Sequence, residues 1–283
     1  MIELDSQKTL KTEVETSGVG LFTGEKVSLK IIPALPNTGI VFQRVDLPSR
    51  PEIPAKLEFV HESPRCTRLA NGGGEIFMVE HLLSSLRGLG IDNARIEVTG
   101  PEIPPGDGSS QLFIDMIERV GLENQNLPKQ VKKIVEPLFF SQGDVHLCAI
   151  PSNEFRVSYT LHYPESSCLG SQYYSLPLTP ENFINELACC RTFSLYEEIL
   201  PFIEKGIIRG GGLENALVIK DDKILNPGGA RFPDEMVRHK ILDLIGDLSL
   251  IGVPILGHII AVRSGHSSNI AFARLISSKL ECF

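Results

Sequence analysis

The sequence lacks any stretch that is apolar enough to cross a membrane. A spanning helix needs about 20 predominantly apolar residues, and the most apolar late stretch, residues 244–262, is interrupted by Asp247, Pro254 and His258. Residues 1–16 are also too polar for a secretory signal peptide. These absences argue against a membrane-spanning protein and favour a cytoplasmic location.

Cysteine pairs and basic clusters are also missing. The chain has 6 cysteines but no Cys-x-x-Cys pair, so neither a thiolate zinc site nor a disulfide framework is indicated, and we expect reduced thiols. The formal net charge is −8, and no run of Lys and Arg is long enough to outweigh it, so a nucleic-acid partner is not expected. A hydrophobic content of 42% with 22% charged residues is typical of soluble globular proteins.

The remaining pattern predicts an α+β protein, because strands and helices fall into separate groups along the chain. At 283 residues the chain is long enough for two domains. The polar segment 123–129 is the best candidate linker, so we expect an N-terminal domain at residues 1–128 and a C-terminal domain at residues 129–283. Residues 33–72, rich in proline and turn residues, predict a small inserted sheet in the first domain.

Periodicity places the regular elements. Helices are predicted from their apolar spacing and their start and stop residues, at residues 78–90, 110–122, 179–188, 231–252 and 267–280. Strands are predicted from alternation, at residues 11–32 around a glycine-rich turn at 17–24, and at 94–98, 131–139, 144–150, 155–161 and 257–263.

The predicted helix at residues 231–252 carries two unlike faces. At about 100° per residue, one side gathers five apolar side chains, namely Val237, Ile241, Leu244, Ile245 and Leu248. Another side stacks His239, Asp243 and Asp247 on successive turns. The apolar stripe predicts a core face. Three polar groups in register are costly to bury without partners. We therefore expect these side chains either to form a functional site or to face solvent.

A metal site is one function for this row. Catalytic zinc is held by about three protein ligands and keeps an open position for water. His239 and Asp243, one turn apart, can reach one metal, and the third ligand must come from elsewhere. His81 at the start of another helix offers it, with Glu80 beside it as a general base. Alone, a helical His-x-x-x-Asp pair is more often a solvated or hydrogen-bonded pair than a metal site.

Three further residues could carry chemistry. His266 lies in a turn between a strand and a helix, and Asp247 behind it would orient the ring and support its protonated form as a general acid. Thr192 offers a hydroxyl donor for an oxyanion, and Lys240 could pair with an anionic substrate group. The alternatives stay open: His266 as a surface or capping residue, Thr192 as a hydrogen-bonding residue at a helix end, and Lys240 as a solvated lysine.

Seven segments in order resemble one family, the UDP-3-O-acyl-N-acetylglucosamine deacetylases, zinc enzymes that commit Gram-negative bacteria to lipid A synthesis. The segments are SGVGL-TG, VEHLLSSLRGLGIDNA, PPGDGSS, RTF, GGGLENA, FPDEMVRHKILDLIGDL and RSGHSSN. No single segment would suffice. Their order and compatible spacing make the combined pattern specific, and the resemblance spans essentially the whole chain.

The resemblance implies roles for these residues. It implies a zinc ion, with iron(II) as the alternative metal, held by His81, His239 and Asp243. It also implies Glu80 as general base, His266 as general acid assisted by Asp247, and Thr192 as a group that stabilises the oxyanion. Phe193 and Lys240 would contact the sugar or the diphosphate of the substrate.

The resemblance also implies an architecture. It predicts two α+β domains, each with a sheet layered against helices, and an active site between them. An insert at residues 194–225 would form an apolar passage for the 3-O-acyl chain. Six apolar residues of the insert suit that lining, namely Ile199, Leu200, Phe202, Ile203, Ile207 and Ile208. Phe22 departs from the family, whose turn usually carries histidine at that position.

The function implied is hydrolysis of the N-acetyl group of UDP-3-O-acyl-N-acetylglucosamine, with release of acetate, by a monomer. We expect no fused dehydratase domain of the kind that some relatives carry. Two alternatives remain. One is a metal amidohydrolase that acts on another acylated sugar nucleotide, and the other is a non-catalytic protein of the same fold that binds sugar nucleotides or lipids.

Overall fold

A computed structural model of the chain describes residues 6–280, and Cys282 lies outside this range. The predicted α+β class is confirmed, because five separate sheets are combined with helices. Cys66, Cys148, Cys168, Cys189 and Cys190 are free thiols. Within the described range, none of the helices has both the length and the apolar character needed to cross a bilayer.

Residues 6–128 contain ten strands and two helices. The strands are β1 (Ser6–Leu10), β2 (Val14–Val19), β3 (Lys26–Pro33), β4 (Ile40–Arg44), β5 (Glu52–Pro54), β6 (Val60–His61), β7 (Arg68–Asn71), β8 (Gly74–Phe77), β9 (Ala94–Val98) and β10 (Leu122–Pro128). The helices are α1 (Glu80–Gly88) and α2 (Gln111–Val120), and a 3-10 turn lies at Leu57–Phe59.

Residues 129–280 contain nine strands and four helices. The strands are β11 (Lys132–Lys133), β12 (Leu138–Gln142), β13 (Val145–Ile150), β14 (Phe155–Tyr163), β15 (Gly170–Pro177), β16 (Phe193–Leu195), β17 (Leu217–Lys220), β18 (Lys223–Ile224) and β19 (Ile255–Val262). The helices are α3 (Pro180–Asn182), α4 (Tyr196–Glu204), α5 (Glu235–Ser249) and α6 (His266–Leu280), and a π-helical segment, Phe183–Leu187, follows α3.

The two main sheets have the same topology. Their strand orders are β2-β3-β9-β4-β5 and β12-β13-β19-β14-β15, with β11 also paired to β19. The strand that comes last in the sequence, β9 in one sheet and β19 in the other, lies in the middle of its sheet. It is antiparallel to one neighbour and parallel to the other. One helix precedes this central strand and one follows it, α1 and α2 in the first half and α5 and α6 in the second. The halves are thus two copies of one arrangement.

Helices α1 and α5 meet where the halves join. A Cβ atom on Gly246 of α5 would lie 2.2 Å from the carbonyl oxygen of Glu80 on α1, so glycine allows the two backbones to touch. The buried apolar residues form one cluster that includes side chains of both sheets. The five residues of the predicted apolar stripe on α5 are all buried, which confirms that this face packs in the core.

Helix α5 is shorter than the predicted range 231–252. The amide of Glu235 donates to the carbonyl of Phe232 in a turn that precedes the helix. The fully buried carboxylate of Glu235 accepts from the backbone amides of Arg191 and Arg231 and from the Arg191 guanidinium. The first acidic residue of the helix therefore anchors the segment before β16 rather than remaining in solvent.

Three other predictions about elements were wrong. The predicted linker at 123–129 is strand β10, which pairs antiparallel with β1, because Gln125 bonds to Asn93 and to the Ala34 carbonyl. The inserted sheet predicted at residues 33–72 has other bounds, because β4 and β5 belong to the main sheet, whereas β6, β7 and β8 form a separate three-stranded sheet over residues 60–77. The predicted strand 131–139 is divided into β11 and β12, where Pro137 cannot donate to a ladder. The domain division at residue 128 stays a prediction.

Candidate active site

Helices α1 and α5 bring together three side chains of types that bind metals, two histidines and one aspartate. The ligand atoms of His81, His239 and Asp243 all lie within 4.8 Å of one another, and none of these residues is more than 4% exposed. Nε2 of His81 and Nε2 of His239 lie 3.4 and 3.2 Å from Oδ1 of Asp243. That oxygen is buried and has no hydrogen-bond donor among residues 6–280. The arrangement fits a buried cation with two imidazole ligands and one carboxylate ligand.

The surroundings fix two of these side chains, those of His239 and Asp243. Nδ1 of His239 lies 3.0 Å from the carbonyl oxygen of Cys190, so a proton on Nδ1 leaves the Nε2 lone pair free to bind a metal. Oδ2 of Asp243 accepts a hydrogen bond of 2.7 Å from Nζ of Lys240. Lys240 is therefore paired with a candidate ligand. The Cys190 contact was not foreseen, because a backbone carbonyl leaves no mark in the sequence.

The electrostatics favour the protonation states that a metal requires. Burial alone would raise the pKa of Asp243, but the neighbouring His239 and Lys240 outweigh it and hold that pKa well below its usual range. Burial lowers the pKa of His81. An ionised carboxylate beside a neutral imidazole is the form in which both groups bind a cation.

Glu80 lies beside this cluster at the start of α1. Its Oε2 accepts a hydrogen bond of 3.1 Å from the backbone amide of Thr67, and its Oε1 lies 3.7 Å from Nε2 of His266. Chiefly through burial, the pKa of Glu80 rises to about 7. A carboxyl group that titrates near neutrality is suited to accept and release a proton.

His266 begins α6 and faces Glu80 with one nitrogen and Asp247 with the other. Nδ1 of His266 lies 2.8 Å from Oδ2 of Asp247, whose side chain is fully buried. Burial alone would lower the pKa of His266, but Asp247 and then Glu80 raise it to about 9. The ring is therefore protonated at neutral pH and can donate a proton.

Two residues that sequence reasoning missed complete the surroundings of Asp247. Thr67 donates its hydroxyl to Oδ1 over 2.5 Å, and Asn269 donates its amide to Oδ2 over 2.9 Å. Asn269 follows His266 by three positions on α6, and this spacing places both residues on one helix face. The sequence could therefore have indicated that Asn269 lies near His266. Thr67 precedes β7, and no motif or periodicity marks it.

A cavity of about 1000 Å³ opens onto these groups. Its volume lies at the upper end of the range for small-molecule sites. All but one of the predicted site residues line it, namely Glu80, His81, Thr192, Phe193, His239, Lys240, Asp243 and His266. Asp247 is not part of the lining and lies behind His266.

Thr192 and Phe193 are held in the wall by backbone contacts. The Thr192 amide donates to the Gly108 carbonyl over 2.8 Å, and its carbonyl accepts from the Leu217 amide over 2.7 Å. The Phe193 ring meets Tyr163 edge to face at 6.2 Å between centroids. The backbone therefore fixes where the Thr192 hydroxyl can reach.

The insert contributes apolar side chains to the cavity lining, and this part of the lining is the apolar branch. Of the six residues suggested for an acyl passage, Ile199, Ile203 and Ile208 line the cavity, and the other three do not. Phe22 also lines it, and its ring packs against Phe77. The turn that carries Phe22 is joined to the insert, because the amide of Arg209 donates to the Phe22 carbonyl over 3.2 Å.

Comparisons with known proteins show that the chain is similar to one group of enzymes. Residues 7–278 match the family model described as LpxC, UDP-3-O-acyl N-acetylglycosamine deacetylase. The chain is 50% identical over 277 residues to the UDP-3-O-acyl-N-acetylglucosamine deacetylase of Chlamydia pneumoniae, with 98% of each chain covered. Enzymes of the same name from Chlamydia felis and from Chlamydia trachomatis serovar L2 are each 49% identical over 276 residues, covering 98% of this chain and 98% and 96% of theirs.

Proposed function

Because the chain belongs to the LpxC family of UDP-3-O-acyl N-acetylglycosamine deacetylases, we propose that it removes the acetyl group from UDP-3-O-acyl-N-acetylglucosamine. The reaction cleaves an amide bond in the lipid A pathway and releases acetate. One structural observation supports the proposal most directly. The unpartnered oxygen of Asp243 faces His81 and His239 in a cavity that is also lined by Glu80 and His266.

The residues that would hold the metal are His81, His239 and Asp243. A zinc ion bound by them would polarise the amide carbonyl and lower the pKa of water. Two nitrogen ligands and one oxygen ligand suit zinc, and iron(II) is the alternative metal. The Cys190 carbonyl and the Lys240 ammonium keep His239 and Asp243 in their binding orientations.

Acid and base roles follow from the positions of the remaining side chains. Glu80 accepts a proton from the attacking water, and the Thr192 hydroxyl donates to the oxyanion that forms on the former carbonyl. His266, kept protonated by Asp247, gives its proton to the departing amine of the sugar. Each acid or base group contributes about 10²- to 10⁴-fold to the rate.

Substrate contacts are the remaining part of the proposal. Phe193 and Lys240 line the cavity beside the reactive groups and contact the sugar or the diphosphate. The 3-O-acyl chain lies along the apolar branch, against Ile199, Ile203 and Ile208. A cytoplasmic location, a monomeric state and the lack of a nucleic-acid partner stay predictions.

The test combines metal content with acetate release from UDP-3-O-acyl-N-acetylglucosamine. We expect about one metal ion per chain in the unsubstituted protein, which is called the parent below. We expect His81→Ala to lose the metal and to have an activity lower by on the order of 100-fold or more. His146→Ala is the matched control, because the His146 side chain is exposed, contacts the Ser141 hydroxyl at 3.0 Å and does not line the cavity. Full activity in metal-free His81→Ala would contradict the metal mechanism.

The same assay separates the alternatives. A substrate that lacks the 3-O-acyl chain should be a poor one if the apolar branch binds that chain. Equal rates with and without the acyl chain would favour an amidohydrolase for another sugar nucleotide. Binding of the substrate without acetate release, by metal-loaded protein, would favour a non-catalytic binding protein.

A further inference from the structure

Thr67 lies between Glu80 and His266, the two acid–base groups of the cavity. No sequence motif includes it. It immediately precedes β7 and is 2% exposed. Its backbone amide donates to Oε2 of Glu80 over 3.1 Å. Its hydroxyl donates to Oδ1 of Asp247 over 2.5 Å and lies 3.3 Å from Nδ1 of His266. One residue thus touches the base, the acid and the carboxylate that supports the acid.

The hydroxyl contacts fix the location of a proton. A threonine hydroxyl has a single hydrogen to donate, and the Asp247 carboxylate oxygen, which lies closer at 2.5 Å than the His266 nitrogen at 3.3 Å, is the acceptor. The Thr67 oxygen can then only accept from His266, so Nδ1 of His266 carries a hydrogen that points toward Asp247 and Thr67. The other nitrogen, Nε2, is left facing Glu80 and the cavity.

We propose that Thr67 is a positioning residue for the deacetylation proposed above. Its amide holds Glu80, while its hydroxyl holds Asp247 and, through Asp247, the ring of His266. The spacing between the base and the acid is therefore set by one short segment of backbone before β7. This inference rests on the proposed function, and it adds a role that acts through other side chains and not on the substrate.

Substitution can remove the hydroxyl contact alone, because the backbone amide remains. Thr67→Val keeps the shape of the side chain but leaves Oδ1 of Asp247 without that donor, which is costly for a buried carboxylate. Thr67→Ser keeps the hydroxyl. Thr67→Ala and Thr67→Ser form a second pair that also isolates the hydroxyl, so a failure of Thr67→Val to fold does not end the test.

We expect Thr67→Val and Thr67→Ala to lower kcat by about 10- to 100-fold, the range found when a group that orients a site is lost, with KM and metal content near those of the parent. Thr67→Ser should stay within about threefold of the parent. Thr9→Val is the matched control. It removes another buried threonine hydroxyl, one that bonds to the Asn93 carbonyl at 2.7 Å and the Ala34 amide at 3.1 Å, outside the cavity lining.

Three results would overturn the inference: an unchanged kcat in Thr67→Val and Thr67→Ala, a loss that Thr67→Ser shares, or an equal loss in Thr9→Val. Failure of the proposed function gives a different pattern, in which metal-loaded parent protein releases no acetate. In that case proton NMR decides the matter. The low-field Nδ1–H resonance of His266 should be present in the parent and Thr67→Ser and shifted in Thr67→Val, and an unshifted resonance would contradict the positioning role.

Discussion

At the scale of single residues, Asp247 is fully buried yet accepts hydrogen bonds from three side chains, those of Thr67, Asn269 and His266. Glu80 is also buried, but among the side chains of residues 6–280 its nearest charged partner is His266 at the longer distance of 3.7 Å, and burial raises the pKa of Glu80 to about 7. The same type of group can therefore support a cation in one place and exchange a proton in the other. The two carboxylates differ in the number of side-chain donors that reach them, three at Asp247 and none within 3.5 Å at Glu80 among residues 6–280.

The His266–Asp247 pair leads to a prediction about pH. The pKa of His266 is raised to about 9, so its acid form persists at neutral pH and is lost as the pH rises through that value. We expect kcat/KM to fall above pH about 9 for the parent. Asp247→Asn removes the largest influence that raises this pKa, so the alkaline limb should move to lower pH and kcat should fall.

The measurement is a pH profile of acetate release for the parent and Asp247→Asn. Asp144→Asn, a change at an exposed position outside the cavity lining, serves as the control and should keep the parent profile. An alkaline limb at the same pH in the parent and Asp247→Asn would argue against His266 as the acid.

The sequence indicates part of this site and not the rest. Helical spacing puts His239 and Asp243 on one face, because residues four apart are neighbours on a helix. It does not say that His81, from a helix in the other half of the chain, lies against them. It also cannot reveal the contacts of Thr67, because a hydrogen bond between residues far apart in the chain leaves no local pattern.

At the scale of elements, the approach of α1 to α5 depends on Gly246. Alanine in the middle of a helix is ordinarily about 1 kcal/mol more favourable than glycine. Here a Cβ atom would lie 2.2 Å from the carbonyl oxygen of Glu80, a backbone atom that cannot move alone. The residue next to Glu80 is His81, so any separation of the helices also displaces a candidate metal ligand.

We therefore expect Gly246→Ala to lower the free energy of unfolding by about 1–3 kcal/mol, the usual cost of overpacking, and to weaken metal binding. Urea denaturation and metal titration measure the two effects. Ser249→Ala, one turn further along α5, adds no atoms and removes the hydroxyl that donates to the Gly246 carbonyl over 2.6 Å, so it is the control for loss of a local contact without overpacking. A more stable Gly246→Ala protein with parent metal affinity would mean that the helices are free to separate.

Helix α4 gives a prediction about the acyl chain, because none of its residues is buried. Ile203 and Ile207 are both 43% exposed, but only Ile203 lines the cavity. We expect Ile203→Ser to lower kcat/KM for the 3-O-acyl substrate by about 10-fold, through loss of roughly 1–2 kcal/mol of apolar contact. Its free energy of unfolding should change by less than about 0.5 kcal/mol, as for most surface positions.

Ile207→Ser is a matched control for this experiment, with the same change of side chain at the same exposure. It should leave kcat/KM near the parent value. A substrate without the acyl chain should not distinguish the parent from Ile203→Ser. Equal losses in the two variants, or a loss that does not depend on the acyl chain, would contradict a passage beside α4.

The predicted elements were most accurate where periodicity and end signals agreed. Helices α1, α2 and α6 occur close to their predicted ranges. Strand β10 was missed because its polar residues resemble a linker, whereas Gln125 bonds inward to Asn93 and the Ala34 carbonyl. Composition reports polarity, but it does not report whether a polar group finds a partner in the interior.

At the scale of the whole molecule, the two halves repeat one strand order although no repeat is visible in the sequence. A shared topology determines which positions are buried, but different apolar residues can occupy the same buried position. The two halves can therefore share a fold without similar sequences. The repeat places α1 and α5 in equivalent positions, so the three candidate ligands come from both halves. A metal bound there would connect them, in addition to the apolar cluster that they share.

This connection predicts how the metal affects stability. A ligand that binds only the folded chain at 100 times its Kd stabilises it by about 2.7 kcal/mol, which corresponds to a Tm increase of about 5–10 °C for a chain of this size. Because the ligands span both halves, we expect one cooperative transition that shifts as a whole when zinc is added to metal-free protein. Hydrogen exchange should then slow in both main sheets.

Calorimetry and hydrogen-exchange mass spectrometry on the full chain test this prediction, with Asp243→Asn as the variant that should not respond to zinc. Asp243→Asn replaces one anionic ligand and leaves the helices in place, so it separates metal binding from packing. Two transitions, of which only the one assigned to the α5 half responds to zinc, would mean that His81 does not share the metal. The bridging of the halves would then come from the apolar cluster alone.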